Sequence, residues 1–176
     1  MTRLPGKSGH GCVADGVERK RIDDWAGDEG VRLGKKVGFF AERSFIIEWG
    51  QCDPAGIVYY PRYFDMFNES TIHLFAAAGY PKHEMLERFD MIGYPMIATN
   101  ASFHLPSTFG DTVTIRSFVA GWGRSSFEIR HDLLHGSVLA VAGYEKRVWA
   151  ARDPETQRIR GVPAPREVVE RMMRAR

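Results

Sequence analysis

An α+β fold is predicted for this chain of 176 residues. One strand-like segment is followed by a long helical segment with apolar residues on almost every side, and then by five successive strand-like runs. A helix that is apolar nearly all round is expected to be buried nearly all round, and consecutive strands joined by short turns favour an antiparallel meander. The simplest arrangement wraps a curved antiparallel sheet around a single central helix.

The first 40 residues differ in composition from the remainder of the chain. They contain eight of the 18 glycines, eight Lys or Arg residues and six Asp or Glu residues, without a periodic apolar pattern. Segments of this kind bury too little apolar surface to fold alone. We therefore predict a flexible N-terminal extension at residues 1–40 and a folded domain at residues 41–176.

The first elements of the domain follow from local composition. Residues 43–49 are rich in β-branched and aromatic side chains, which predicts the first strand. Pro61 suits the first position of a helix because its missing N–H is not needed there. Apolar residues then recur at helical spacing until Gly79, which carries the stop signal of a helix. The charge-rich residues 82–90 are predicted to form a loop.

The second half of the domain is predicted to be mostly strand. Turn-forming Gly and Pro residues divide it into successive segments. The predicted strands cover residues 95–105, 111–122, 125–135, 137–152 and 158–162, and a short helix at residues 166–174 closes the chain.

Composition excludes several classes of function. The net charge of +2 arises wholly within residues 1–40, so the domain lacks the basic excess of a nucleic-acid-binding protein. No apolar run is long enough to span a membrane, and two cysteines are too few for a disulfide framework or a four-ligand zinc site. His131 and His135 lie in a predicted strand, where their spacing forms no metal-binding helical face. We expect a cytoplasmic protein without a metal or other cofactor, a nucleic-acid partner or membrane insertion.

Asp53 stands in a turn-forming segment just before the long helix. An Asx turn would explain this residue without any function. The alternative is catalytic, because the helix start near Tyr60, Arg62 and Tyr63 presents unpaired N–H groups and the positive end of the helix dipole. A carbonyl oxygen held there would be stabilised as it became an oxyanion. Asp53 would then attack the carbonyl carbon or activate a water molecule.

One block of sequence is specific enough to indicate a family: Cys52-Asp53-Pro54-Ala55-Gly56-Ile57-Val58, with Tyr60-Pro61 and Tyr63 beyond it. It resembles the hot-dog-fold acyl-CoA thioesterases, most closely the bacterial 4-hydroxybenzoyl-CoA thioesterases that carry an active-site aspartate. The resemblance covers roughly residues 43–165. It implies an antiparallel sheet around a central helix, dimers with a continuous sheet that often pair into tetramers, and active sites at the subunit interface.

The resemblance also implies roles for individual residues. Asp53 matches the aspartate that acts as nucleophile or general base in thioester hydrolysis. The backbone N–H of Tyr60 matches the group that polarises the thioester carbonyl. The other residues expected to contact the substrate are Gly56, Asn68, Arg124 and Ser126.

Two positions depart from the family pattern. Asn68 replaces an aspartate near the aromatic end of the pocket, which weakens the case for a 4-hydroxybenzoyl group in particular. Arg124 is the one basic residue that remains of three that meet the CoA phosphates, and it is equally well explained as a solvated charge on a hairpin.

The expected activity is hydrolysis of an acyl-CoA to a carboxylic acid and CoA. The acyl group is expected to be an aryl group similar to 4-hydroxybenzoyl, or a short to medium chain. The expected assembly is a homodimer or a dimer of dimers. Two alternatives stay open: a non-catalytic acyl-CoA-binding or regulatory module on the same fold, and an envelope-associated thioesterase for longer chains. The presence of Asp53 favours an enzyme.

Overall fold

The structure is a computed structural model that describes residues 38–174. The predicted extension at residues 1–40 lies outside the described residues except for its last three. Phe39 is buried, and its N–H donates to the Met172 carbonyl oxygen over 2.8 Å. The folded domain therefore includes the residues directly before the first strand.

The described chain contains seven strands, three α-helices and one short 3-10 turn. In chain order these are β1 Phe40–Ile46, the 3-10 turn Trp49–Gln51, α1 Pro61–Ala77, α2 Lys82–Arg88, β2 Met96–Phe103, β3 Thr112–Trp122, β4 Ser126–His135, β5 Val138–Val148, β6 Ala150–Arg152, β7 Ile159–Gly161 and α3 Arg166–Met173.

The main sheet has five antiparallel strands in the order β1-β3-β4-β5-β2, and α1 packs against it. Strands β6 and β7 form a separate two-stranded sheet. The predicted α+β architecture of one long helix on an antiparallel sheet is thus confirmed. The predicted meander is right only for β3, β4 and β5, because β2 pairs with β5 at the far edge instead of with β3. Strand β2 lies at one edge of the sheet and is exposed along most of its length.

Three element predictions are wrong in their details. The first strand ends at Ile46, three residues early, because the chain enters the 3-10 turn and leaves the Trp49 side chain 78% exposed. The predicted loop at residues 82–90 contains α2, whose buried Met85 anchors it among helix-favouring charged residues. The predicted strand at residues 137–152 is broken at Trp149, whose N–H donates to the Ser125 carbonyl oxygen over 2.7 Å.

The core consists of two apolar clusters, one at each half of α1. Tyr63, Met66 and Phe67 belong to the cluster at its N-terminal half, whereas Leu74 and Phe75 belong to the cluster at its C-terminal half. Buried polar side chains lie between the two clusters, and we call them the polar layer: Thr71, Ser117, His131, Glu145 and Arg147.

Helix α1 is buried on one face only, so the prediction of nearly complete burial is wrong for the single chain. The sheet covers the face that carries the apolar clusters. The opposite side leaves Arg62, Asp65, Asn68 and Glu69 exposed, together with the short apolar pair at residues 76–77. A sheet of five strands covers one side of the helix and leaves this polar stripe facing outward.

Candidate active site

A closed loop between β1 and α1 carries the predicted catalytic aspartate. Cys52 and Val58 form an antiparallel bridge across it, and the Asp53 N–H donates to the Ile57 carbonyl oxygen over 2.9 Å. Gly56 has φ of +79°, in the left-handed region that glycine adopts without steric cost. Local backbone bonds therefore fix the shape of this loop.

The Asp53 carboxylate has one engaged oxygen and one available oxygen. Its Oδ1 accepts a hydrogen bond of 2.8 Å from the Ala55 N–H, which is the expected Asx turn. Its Oδ2 has no hydrogen-bond or ion-pair partner among residues 38–174. The Asx turn and a catalytic role are compatible, because the turn orients the carboxylate and leaves one oxygen for a substrate or a water molecule.

The start of α1 offers fewer free N–H groups than the sequence predicts. The Arg62 N–H donates to the Tyr59 carbonyl oxygen over 2.9 Å, and the Tyr63 N–H donates to the Tyr60 carbonyl oxygen over 3.2 Å. The expectation that Arg62 and Tyr63 are unpaired is therefore wrong. The Tyr60 N–H makes no hydrogen bond within the described part of the chain. It is the free donor at the positive end of a helix of 17 residues.

An open groove of about 500 Å³ runs along the exposed side of α1, beside the 3-10 turn. Its lining residues are Glu48, Gly50, Gln51, Arg62, Asp65, Asn68 and Glu69. Arg62 pairs with Asp65 over 3.3 Å, and Glu69 pairs with Arg43 over 2.7 Å. The groove therefore has a polar lining with an excess of carboxylates.

Asn68 on the groove wall is held by a buried arginine. The Arg147 Nη2 donates to Asn68 Oδ1 over 3.0 Å. The same guanidinium makes a bidentate contact with Glu145, with Nε to Oε2 at 2.8 Å and Nη2 to Oε1 at 2.9 Å. Arg147 is 5% exposed and Glu145 is 1% exposed. The groove is thus connected to the polar layer through Asn68.

Glu145 is the centre of the polar layer. Its Oε2 accepts a hydrogen bond of 2.7 Å from Thr71 Oγ1 and lies 3.4 Å from His131 Nε2. Burial alone would raise the pKa of Glu145, but the neighbouring His131 and Arg147 outweigh burial and lower this pKa to about 2. The other ring nitrogen of His131 lies 2.7 Å from Ser117 Oγ. Glu145 is therefore ionised in the fold and balances the charge of Arg147.

Arg124 and Ser126 lie far from Asp53 in the single chain. The loop of Asp53 contacts the segment before β3, through a bridge between Ile57 and Thr108. Arg124 and Ser126 lie at the other end of β3, in and just after the turn to β4. The length of β3 separates the two regions by roughly 30 Å, at about 3.3 Å per residue. One chain does not bring these predicted site residues together.

Sequence reasoning missed Glu145 and Arg147. Along β5 the side chains alternate between the two faces of the sheet, which places both charged residues in line with the buried Val141 and Gly143. A pair of opposite charges on the buried face of a strand was the available signal. His131 is completely buried in the polar layer, and the sequence predicted only that it forms no metal-binding helical face.

Comparison with known proteins identifies the family. The family model described as the thioesterase-like superfamily matches residues 47–172. This chain belongs to the thioesterase-like superfamily. The 4-hydroxybenzoyl-CoA thioesterase of Pseudomonas sp. (strain CBS-3) is 34% identical over 131 residues, which are 70% of this chain and 91% of that relative.

Solved structures agree with this assignment. The structure of the Pseudomonas enzyme matches with a TM-score of 0.68 and 32% identity, covering 75% of this chain and 98% of that one. An aspartate-to-asparagine variant of 4-hydroxybenzoyl-CoA thioesterase, complexed with 4-hydroxybenzoyl-CoA, gives a TM-score of 0.69 at 31% identity, with 76% and 99% covered. A gentisyl-coenzyme A thioesterase gives 0.65 at 28% identity, with 75% and 98% covered. The predicted hot-dog fold of the thioesterase-like superfamily is confirmed.

Two further observations apply to residues 38–174. None of their helices is both long enough and apolar enough to cross a membrane. Within the same range, no three His, Cys, Asp or Glu side chains are grouped so that they could hold a metal ion. Cys52 is partly buried and packs against the apolar cluster at the N-terminal half of α1.

Proposed function

We propose that this protein hydrolyses aryl-CoA thioesters to the carboxylic acid and free CoA. The observation that carries the proposal is the combination of a free carboxylate oxygen on Asp53 with an unpaired N–H on Tyr60. The hydrogen bond from the Tyr59 N–H to the Gln51 carbonyl oxygen, at 2.9 Å, joins the two ends of the loop that bears them. Acyl transfer needs an attacking or water-activating group and a stabiliser for the oxyanion.

In this proposal the Tyr60 N–H binds the thioester oxygen, and the helix dipole stabilises the negative charge that develops on it. Asp53 then acts by one of two routes. It attacks the thioester carbon and expels the CoA thiolate, after which water hydrolyses the mixed anhydride, or it takes a proton from a water molecule that attacks directly. Both groups belong to the protein, so neither route needs a cofactor.

The spacing along α1 supports an aryl group as the acyl part. Asn68 follows Tyr60 by eight residues, which is about 12 Å along a helix axis. A para-substituted benzoyl group with a hydrogen bond of about 3 Å at each end has a comparable length. The excess of carboxylates in the groove also disfavours the CoA phosphates. We therefore place the acyl group, rather than the nucleotide, in the groove.

We further propose that the active site is completed by a second copy of the chain. Strand β2 leaves one edge unpaired in the described chain, and it exposes Met96, Ile97 and Phe103 by 41%, 56% and 50%. A long, apolar, exposed edge is suited to pairing with another strand. A dimer that continues the sheet, or a dimer of dimers, would bring Arg124 and Ser126 of one copy toward the Asp53 loop of another, with Gly56 contacting the substrate.

A cytoplasmic location belongs to the same proposal. Two cysteines in 176 residues are few for a chain that is stabilised by disulfides outside the cell. The proposed substrate and product require no passage through a membrane by the protein itself.

The experiment is release of free thiol by the full chain from a panel of acyl-CoAs. The panel contains 4-hydroxybenzoyl-CoA, gentisyl-CoA, benzoyl-CoA, acetyl-CoA, hexanoyl-CoA and palmitoyl-CoA. We expect the aryl-CoAs to be turned over with the highest kcat/KM. Preference for palmitoyl-CoA would contradict the aryl assignment. If no member of the panel released thiol while binding of an acyl-CoA was still measurable by calorimetry, the protein would be a binding module and not an enzyme.

A further inference from the structure

The contact between Arg147 and Asn68 determines which end of the Asn68 amide is left for a ligand. A guanidinium only donates hydrogen bonds and never accepts them. The group that faces Arg147 Nη2 over 3.0 Å must therefore be the amide oxygen. The amide nitrogen has no partner among the described residues and is the polar group that Asn68 offers to the groove.

Arg147 is itself held from three directions. Glu145 accepts two of its N–H groups, and the Tyr94 carbonyl oxygen accepts a third from Nη1 over 3.3 Å. Its guanidinium carbon also lies 5.6 Å from the centre of the Tyr94 ring. A buried and multiply bonded guanidinium has little freedom to move, so the orientation of the Asn68 amide is fixed before any ligand binds.

We propose that Arg147 is a positioning residue that fixes Asn68 as a hydrogen-bond donor, so that the groove selects acyl groups carrying an acceptor. This inference rests on the proposed function, because it names the acyl chemistry of the same site. A carboxylate at position 68 would select acyl groups that carry a hydrogen-bond donor, since a carboxylate only accepts hydrogen bonds.

Two near-isosteric substrates separate these cases. The phenol oxygen of 4-hydroxybenzoyl-CoA accepts a hydrogen bond, whereas the nitrogen of 4-aminobenzoyl-CoA is a poor acceptor because its lone pair is delocalised into the ring. Each kcat/KM is divided by that of benzoyl-CoA for the same variant, which removes effects on folding and on the common chemistry. We expect the wild type to favour the hydroxyl over the amino substrate by about tenfold, the effect of one hydrogen bond.

The variants are Asn68→Asp and Arg147→Lys, with Arg116→Lys as the control. The ratio compared is that of the normalised kcat/KM for 4-hydroxybenzoyl-CoA to the normalised kcat/KM for 4-aminobenzoyl-CoA. We expect Asn68→Asp to bring this ratio close to one. Arg147→Lys keeps a charge beside Glu145 but loses the contact to Asn68, so the ratio should fall in the same direction, mainly through KM. Arg116 pairs with Glu42 on the protein surface over 2.7 Å and should leave the ratio unchanged.

An unchanged ratio in Asn68→Asp or in a folded Arg147→Lys would overturn the inference, and so would a reduced ratio in Arg116→Lys as large as that in Arg147→Lys. If Arg147→Lys does not fold, unchanged ratios in Asn68→Asp and Asn68→Leu would still overturn the inference, because both variants remove the amide donor at a residue that lies on the surface. No turnover of any aryl-CoA by the wild type would instead refute the proposed function. The two failures are therefore distinguishable.

Discussion

The loop at residues 52–60 and the polar layer both depend on polar side chains, but they are built in opposite ways. The loop is closed on itself by backbone bonds between residues at most eight positions apart, and Asp53 keeps one oxygen free. In the polar layer, Thr71 and Glu145 are 74 positions apart in sequence and joined at 2.7 Å. Four of its members are 0–1% exposed, and Arg147 is 5% exposed.

This difference indicates that the loop serves the reaction and that the polar layer serves the stability of the fold. A carboxylate oxygen that is held by a rigid turn and has no other partner can react. Replacing that carboxylate by a group of similar shape should cost little stability. A buried charge with several partners stabilises the fold only while all its partners remain. We therefore expect removal of the loop carboxylate to act mainly on rate and removal of a buried charge from the polar layer to act mainly on stability.

The largest expected effect on stability is that of Glu145→Ala. Removing this carboxylate leaves Arg147 buried without its counter-charge, which costs about 3–5 kcal/mol in comparable cases. Urea unfolding of the full chain measures the loss. The matched control is Glu128→Ala, because Glu128 pairs with Lys146 on the surface over 3.5 Å and such pairs contribute about 0–1 kcal/mol. Equal losses in the two variants would contradict the assigned importance of the polar layer.

A smaller effect on stability is expected from acid. The pKa of Glu145 is lowered in the fold from 4.5 to about 2. A carboxylate with a lowered pKa contributes stability that is present above the unfolded-state pKa and is lost as the pH falls toward the folded-state value. The free energy of unfolding should therefore decrease as the pH falls from 4.5 toward 2. Glu145→Gln should flatten this dependence, and an unchanged slope would refute it.

The smallest effect distinguishes the loop from a similar turn elsewhere. Gly56 and Gly136 have φ of +79° and +63°, so alanine at either position should cost roughly 1–2 kcal/mol of strain. We expect similar shifts in thermal midpoint but a loss of thiol release in Gly56→Ala alone, since Gly136 lies in the β4–β5 turn. A comparable loss of activity in Gly136→Ala would show that general destabilisation, rather than loop shape, controls the rate.

The same contrast explains how much the sequence could predict. The loop is encoded by adjacent residues, so its turn, the start of α1 at Pro61 and the family were all predictable. The exact set of free N–H groups was not, because the carbonyl oxygens that pair with Arg62 and Tyr63 depend on backbone angles. The bond between Glu145 and Thr71 depends on the packing of α1 against β5, which no local pattern records.

The edges of elements show a similar limit. Trp49 has the composition of a strand residue, yet it lies outside the sheet with its ring 6.1 Å from that of Phe109. Met85 is a single buried residue among charges, so α2 gave too weak a periodic signal to be distinguished from a loop. In both cases the deciding contacts are tertiary, and local propensity does not contain them.

The most direct test of the account is thiol release from 4-hydroxybenzoyl-CoA by Asp53→Asn, with Asp90→Asn as the matched control. Asp90→Asn makes the same chemical change at an exposed residue, whose φ of +46° is one that asparagine adopts readily. We predict that Asp53→Asn loses about 10²–10⁴-fold in kcat while its thermal midpoint stays at the wild-type value, and that Asp90→Asn keeps full activity. Wild-type turnover in Asp53→Asn would contradict the assignment of the chemistry to this loop.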